Sequence, residues 1–420
     1  MKKKLLIQLS ALLFCLLVVA CTSDKKKELA FIQENIDFAT QQMEIMLEEI
    51  GSPTGKNYPR TMNDEGKLIV TGKYDWTPGF FPGSLWYTYE LSGDSIWRTR
   101  AEAWTHSLEQ LKTFTGHHDL GFMMYCSYGN AQRLAPKPEY NAILETSAQS
   151  LATRYSEQTK AIKSWNYRKA WNDTVEWFYP VIIDNMMNLE LLTYGSKIAN
   201  NQLLKEIAIT HTNTTLQNHF REDFSSYHVV NYDPETGAVL NQATCQGYSD
   251  NSTWSRGQAW AIYGYSMMYR ETGIQEYLDA AEKMAQWYLE RLPEDLVPLW
   301  DFNVGQEAYE PEEKSYAKEF PGTNLRDVSA AAITCSALFE LGQSTGKKEY
   351  TDLAIEMLHS LASPAYRAEL GTNANFLLKH SVGSIPHKNE IDKPLVYADY
   401  YFLEALVRYR NWLNYGSIFH

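Results

Sequence analysis

Two carboxylates stand among apolar residues. Asp184 falls in "VIIDNMMN" (181–188) and Asp119 in "HHDLGFMMY" (117–125), each opening an apolar helical stretch just ahead of a Met-Met pair. An Asp before an apolar helix is an ordinary N-cap, yet neither acid has the Glu three residues on that would complete a capping box. With Ile182, Ile183, Met186 and Met187 around it, Asp184 loses hydration. Desolvation raises a carboxyl pKa and suits a general acid at neutral pH.

Aromatic and polar side chains crowd the neighbouring segments: Trp76 in "DWTPGFFPG", His117 and His118, His228 in "SYHVVNYD", Gln246, and then the run "WSRGQAW". In that run Arg256 and Trp260 are four apart, on one face of a helix. A guanidinium fork beside an indole suits a carboxylated sugar, its anion paired with the fork and its ring stacked on the aromatic. Core packing is the competing role for each aromatic. The histidines lack metal-ligand spacing and no nucleotide-binding motif is visible, so neither metal nor cofactor is expected.

The elements that must position these residues repeat. "GDSIWRTRAEAW", "GIQEYLDAAEKM" and "GKKEYTDLAIEM" share glycine, an aromatic four residues on and alanine four further: Gly93/Trp97/Ala101, Gly273/Tyr277/Ala281 and Gly346/Tyr350/Ala354. Each follows an apolar helix and opens an amphipathic one, with Gly where a left-handed C-cap is needed. "MMNLELLTYG" followed by "NNQLLKEIAITH" is a degenerate fourth copy. The unit is a helical hairpin. About a dozen helices from residue 28 onward predict six hairpins closed into a ring, an all-α (α/α)6 barrel, with apolar helices inside. Long Gly-, Asp- and Asn-rich segments (57–79, 221–257 and 299–327) are expected to gather as loops at one end.

The chain opens with Lys2–Lys4, an apolar run from Leu5 to Ala20, and "LVVAC" ending at Cys21. That pattern reads as a signal peptide over 1–20. Cys21 resembles the lipidated cysteine of a bacterial lipobox, 21–27 reads as a polar tether, and 28–420 as one catalytic domain. The expectation is an exported lipoprotein, periplasmic or outer-membrane anchored, touching the membrane only through its lipid. Losing Lys2, Lys3 and Lys4 takes the formal net charge from -13 to -16, which disfavours nucleic acid as a partner. Cys126, Cys245 and Cys335 are odd in number and widely spaced, and read as buried thiols, with one disulfide an alternative.

Together "KYDWTPGFFPGSLW", "HHDLGFMMYCSYGN", "VIIDNMMNLELL", "ATCQGYSDNSTWSRGQAWAIYGY" and "DVSAAAITCSALFEL" resemble the unsaturated glucuronyl hydrolases of glycoside hydrolase family 88, in order from about Trp76 to Tyr400. The resemblance implies the (α/α)6 barrel, Asp184 as general acid/base and Asp119 as second essential carboxylate. It implies substrate contacts at Trp76, His118, His228, Gln246, Arg256 and Trp260. The implied substrate is an acidic oligosaccharide left by a polysaccharide lyase, with a 4,5-unsaturated uronic acid at its non-reducing end. Some members hold a sulfated sugar through a Ser-x-x-Ser-x-Lys run. Here Ser381 and Ser384 remain, while Lys388 is displaced and His387 stands before it. Lys379, His380, His387 and Lys388 form the densest cationic patch of the sequence.

The source of the substrate (heparin or heparan sulfate, chondroitin or hyaluronan) and the oligomeric state stay open at this point. So do a pectin-directed family 105 rhamnogalacturonyl hydrolase, a non-catalytic glycan-binding lipoprotein and a sugar epimerase.

Overall fold

The computed structural model describes residues 2–170, 175–312 and 324–420, with side chains from residue 24 onward. The chain runs as α1 (Lys2–Ile50), α2 (Phe80–Ser92), α3 (Ser95–His106), α4 (Leu120–Met124), α5 (Asn130–Leu134), α6 (Pro138–Ala152) and α7 (Leu189–Ala199). There follow α8 (Gln202–Asn218), α9 (Ser255–Thr272), α10 (Gln275–Leu289), α11 (Val328–Thr345), α12 (Lys348–Leu361) and α13 (Val396–Tyr415).

Six of these positions form the inner wall: α2, the broken α4–α5 pair, α7, α9, α11 and α13, each packed on the next, with α13 returning to α2 to close the ring. α1, α3, α6, α8, α10 and α12 lie outside. The expected (α/α)6 barrel is the fold. Burial patterns explain the sorting: in α11 every residue from Val328 to Gly342 is buried, whereas α12 buries only Tyr350, Thr351, Ala354, Met357, Leu358 and Leu361. A helix apolar all round belongs inside two layers; a one-sided helix covers them.

The turn chemistry follows the repeat. Gly93, Gly273 and Gly346 cap α2, α9 and α11 at φ of 71°, 72° and 71°, a conformation only glycine adopts without a Cβ penalty. The aromatic and alanine of each copy are buried, Ala101, Ala281 and Ala354 completely. In the degenerate copy the left-handed cap is Asn200, at φ 50°. Gly195 lies inside α7 instead, where a Cβ would collide with Ala148.

Because hairpin partners are antiparallel, the inner helices all point their N-termini to one end, and the long segments collect there as expected. They are less irregular than the sequence suggests. Residues 58–62 pair with 68–71, residues 381–384 with 389–393, and 179–182, 229–232 and 239–243 form a three-stranded antiparallel sheet. The β-branched and aromatic residues of "VVNY", buried on both faces, explain the last. Of the segment 299–327, residues 313–323 lie outside the described residues.

α1 runs unbroken from Lys2, so the polar 21–27 stretch is helical; the Cys21 side chain lies outside the described residues. Among the described residues no helix is long and apolar enough to cross a membrane. Cys126, Cys245 and Cys335 are free and buried.

Candidate active site

The three-stranded sheet delivers Asp184. Strand 179–182 pairs Ile182 with Val229, and the next N–H, of Ile183, donates to the His228 carbonyl at 3.0 Å. The chain then winds into a 3-10 turn, Ile183–Asn188, with Asp184 in its first turn and no side-chain cap hydrogen bond. Asp119 occupies the N-cap position of α4, also without a capping bond. Neither carboxylate is spent on its helix end.

Two glycines let these turns meet. A Cβ on Gly121 of α4 would overlap Asn188, and one on Gly264 of α9 would overlap Met186. Asn188 then joins the two acid-bearing segments: its Oδ1 accepts from the Phe122 N–H at 2.9 Å and its amide lies 3.4 Å from His118 Nδ1.

The electrostatics separate the pair. Burial pushes the Asp184 pKa up to about 7, aided by the nearby Asp119 anion and opposed by Arg256 and the Trp260 indole N–H. Asp184 is 8% exposed, and its Oδ2 has no hydrogen-bond partner among the described residues. Burial alone would raise Asp119 too, but His118, at 3.3 Å, and His117, at 3.0 Å, hold its pKa below the usual carboxylate value. One acid is therefore poised to carry a proton at neutral pH while its neighbour is an anion.

His228 faces Asp184, its Nε2 being 3.6 Å from Oδ2. Its Nδ1 lies 3.0 Å from the Cys245 N–H and 3.2 Å from the Gln246 N–H, both of which donate to it. Two donors on Nδ1 place the ring's own proton on Nε2, toward Asp184. Burial drives the His228 pKa far down and that of His118 to about 4, so both rings are neutral.

The remaining expected residues divide. Trp76 is half-buried against Phe80, Phe122 and Tyr397, an aromatic wall with a free edge. Gln246 donates through Nε2 to the Gly383 carbonyl at 3.1 Å, tying its loop to the 381–393 hairpin. Arg256 is corrected: it is no free anion-binding fork. It is 1% exposed and donates to Asp327 Oδ2 at 2.6 Å and to the Val382 and Gly383 carbonyls at 2.5 and 2.7 Å. Its charge reaches Asp184 without bidentate pairing to a ligand.

Trp260 is corrected too. Wholly buried between Phe122 and Tyr401, it offers the site an N–H edge, not a stacking face. Ser381 is fully buried, accepting the Ser329 N–H at 3.1 Å under the start of α11, and cannot contact a sulfate. Ser384 instead bonds His387 Nδ1 at 2.7 Å at the rim, while Lys388 is exposed. The cationic patch does not form: Lys379 donates to the Pro364 carbonyl and His380 pairs with Asp392.

One residue was missed. Trp165 is half-buried, stands edge-on to His228 at 6.4 Å, stacks on Trp177 and has Arg168 over its ring at 4.8 Å. Arg168 in turn acts electrostatically on His228 and His387. Only the aromatic-cation spacing of "WNYR" hints at this in the sequence.

Comparison with known proteins now bears directly on this geometry. The profile described as Glycosyl Hydrolase Family 88 matches residues 54–412. The chain belongs to glycoside hydrolase family 88. It is 44% identical over 398 residues to an unsaturated glucuronyl hydrolase of Formosa agariphila, covering 93% of each chain. It is 31% identical over 395 residues to an unsaturated chondroitin disaccharide hydrolase of Streptococcus pyogenes, covering 91% of this chain and 92% of that one. The crystal structure of an unsaturated glucuronyl hydrolase specific for heparin superposes with a TM-score of 0.83 at 40% identity, over 91% of this chain and 97% of that one. This family 88 chain is thus a glycosidase whose two buried acids lie at the end of the barrel where the long segments gather.

Its pH dependence follows from the pair. If protonated Asp184 is the active form, kcat/KM falls as pH rises through about 7. The Asp119 anion helps hold that value up. Asp119→Asn removes a like charge, so the alkaline limb of the pH profile should move toward acid along with any loss of rate. An unmoved limb in the residual activity would refute the coupling.

Proposed function

We propose that this enzyme removes the non-reducing-end 4,5-unsaturated uronic acid from lyase-generated glycosaminoglycan oligosaccharides by hydrating the C4=C5 enol ether. The observation that carries this reading is the buried Asp184 carboxyl, with a pKa of about 7 and an unpartnered oxygen. Ordinary glycoside hydrolysis places two carboxyl groups on opposite sides of the anomeric centre. Hydration needs one group that gives a proton and takes one back. Asp184 protonates C4, a water adds to C5 and returns its proton to Asp184, and the hemiketal formed at C5 opens and releases the neighbouring sugar.

In this reading Asp119 and His118 bind ring hydroxyls, and the neutral Nε2–H of His228 steadies the Asp184 carboxylate once its proton has gone. Trp76 and Trp165 line the sugar. Gln246 and Arg256 hold the hairpin that closes the site, and Ser384 with His387 meets the next residue of the chain, with Lys388 beyond them. Disappearance of the conjugated uronate's ultraviolet absorbance, followed on lyase-generated disaccharides of heparin, chondroitin and hyaluronan, tests the proposal. Decay is expected on at least one of them. Inertness on all three, with turnover of a pectin-derived unsaturated disaccharide, would overturn the substrate class.

The Lys2–Lys4, Leu5–Ala20 and Cys21 pattern supports export and acylation at Cys21, with anchoring in the periplasm or outer membrane. Labelled fatty acid should enter the protein in cells and be lost in Cys21→Ala; label retained by the variant would defeat this part of the reading.

A further inference from the structure

Away from the catalytic end the inner helices and the C-terminal residues Ile418, Phe419 and His420 line a cavity of about 470 Å³, within the range of roughly 300–1,000 Å³ usual for small-molecule sites. Neither Asp184 nor Asp119 lines it. Its wall includes Phe122 and Tyr401, the two rings that sandwich Trp260, at centroid distances of 5.2 and 5.4 Å. The cavity therefore lies on the other side of the aromatic layer beneath the catalytic acids.

Most polar groups there are committed. Tyr87 donates to Glu404 at 2.7 Å, Tyr263 donates to Glu404 at 3.1 Å, and Arg408 donates to the Tyr263 hydroxyl at 2.9 Å. Arg270 pairs with Glu190 and, at 2.8 Å, with Glu340. Two hydroxyls are left over. Tyr401, 2% exposed, and Tyr125 both line the cavity, and neither hydroxyl has a hydrogen-bond partner among the described residues. Tyr125 is half-buried, and both side chains border the open space, so a ligand there can reach their hydroxyls.

We propose that this cavity binds a small neutral polyhydroxylated molecule, a mono- or disaccharide, through the Tyr125 and Tyr401 hydroxyls and the surrounding rings. The charge arrangement selects neutrality. An anion would face Glu190 and Glu404, and a cation would face Arg270 and Arg408, all four of which line the space. A sugar hydroxyl both donates and accepts, and its C–H face suits aromatic walls.

The test uses the Trp76→Ala protein, which weakens sugar binding at the catalytic end, with glucose and N-acetylglucosamine as probes in saturation-transfer NMR titrations. Binding is expected to persist in that protein and to weaken about tenfold when Tyr125→Phe and Tyr401→Phe are added, the loss of two neutral hydrogen bonds. Both changes keep ring volume, and an unchanged melting temperature shows that the fold survives. No binding in Trp76→Ala, or an affinity indifferent to the two hydroxyls, overturns the proposal whether or not the enzyme hydrolyses unsaturated disaccharides.

Discussion

Asp184→Asn is expected to lower kcat by about 10³-fold or more while leaving the fold intact and substrate binding largely unchanged. General acid-base catalysis by a positioned side chain contributes roughly 10²–10⁴-fold, and in the proposed mechanism one carboxyl serves both proton transfers, so no second group covers its loss. An amide of the same shape fits the same space but has no proton to deliver to C4.

The stability consequence has a definite sign. An unfolded Asp titrates near 3.9, whereas folded Asp184 holds its proton up to about 7. Between those values the native state binds more protons than the unfolded one. The stability contributed by Asp184 is complete below the unfolded value and is lost as pH rises through the folded one. The amide has no such loss. Asp184→Asn should therefore melt higher than the parent above pH 7, with the gap closing as pH falls toward 4. Turnover within tenfold of wild type would sink the assignment of Asp184. A melting difference independent of pH would sink the raised pKa.

The second large effect is at Arg256. Arg256→Met leaves Asp327 with no exposure and no cation beside it, and breaking one side of a buried pair costs about 3–5 kcal/mol. The Val382 carbonyl loses its Arg256 donor and the Gly383 carbonyl keeps the one from Gln246, so the hairpin that Arg256 holds over the site loosens. Denaturant unfolding should show the loss in the single variant. In Arg256→Met/Asp327→Leu most of it should return, less about 1 kcal/mol because Asp327 also caps α11 through the Ser329 N–H. Activity should not return with it, since the hairpin still lacks the Arg256 guanidinium. The pH limb should move alkaline, because Arg256 is the cation that opposes the rise at Asp184. A double variant with wild-type kcat/KM would show that Arg256 serves stability alone.

The same residue shows how far sequence reasoning carries. The spacing in "WSRGQAW" placed Arg256 and Trp260 on one helical face, and they are on one face. It could not say that this face points into the barrel, because the partners of Arg256 are Asp327 and Gly383, 71 and 127 residues away. A fork and an indole proposed for ligand binding are instead structural neighbours of the acid they serve. Ser381 was misread for a like reason: its burial under α11 is a tertiary fact. Gly121 and Gly264 look like ordinary helix residues until the Ile183–Asn188 turn is laid against them.

What the sequence alone determined is what depends on near neighbours: the alternation of all-apolar and one-sided helices, the left-handed glycine caps that make hairpins of them, and the two acids set in apolar runs. These follow from backbone sterics and helical periodicity over a few residues. What only the tertiary structure decided is what holds Asp119 as the anion, which histidine nitrogen carries a proton, and which cation is free. Each is a sum over desolvation and charges brought together from distant parts of the chain, and no window of sequence contains that sum.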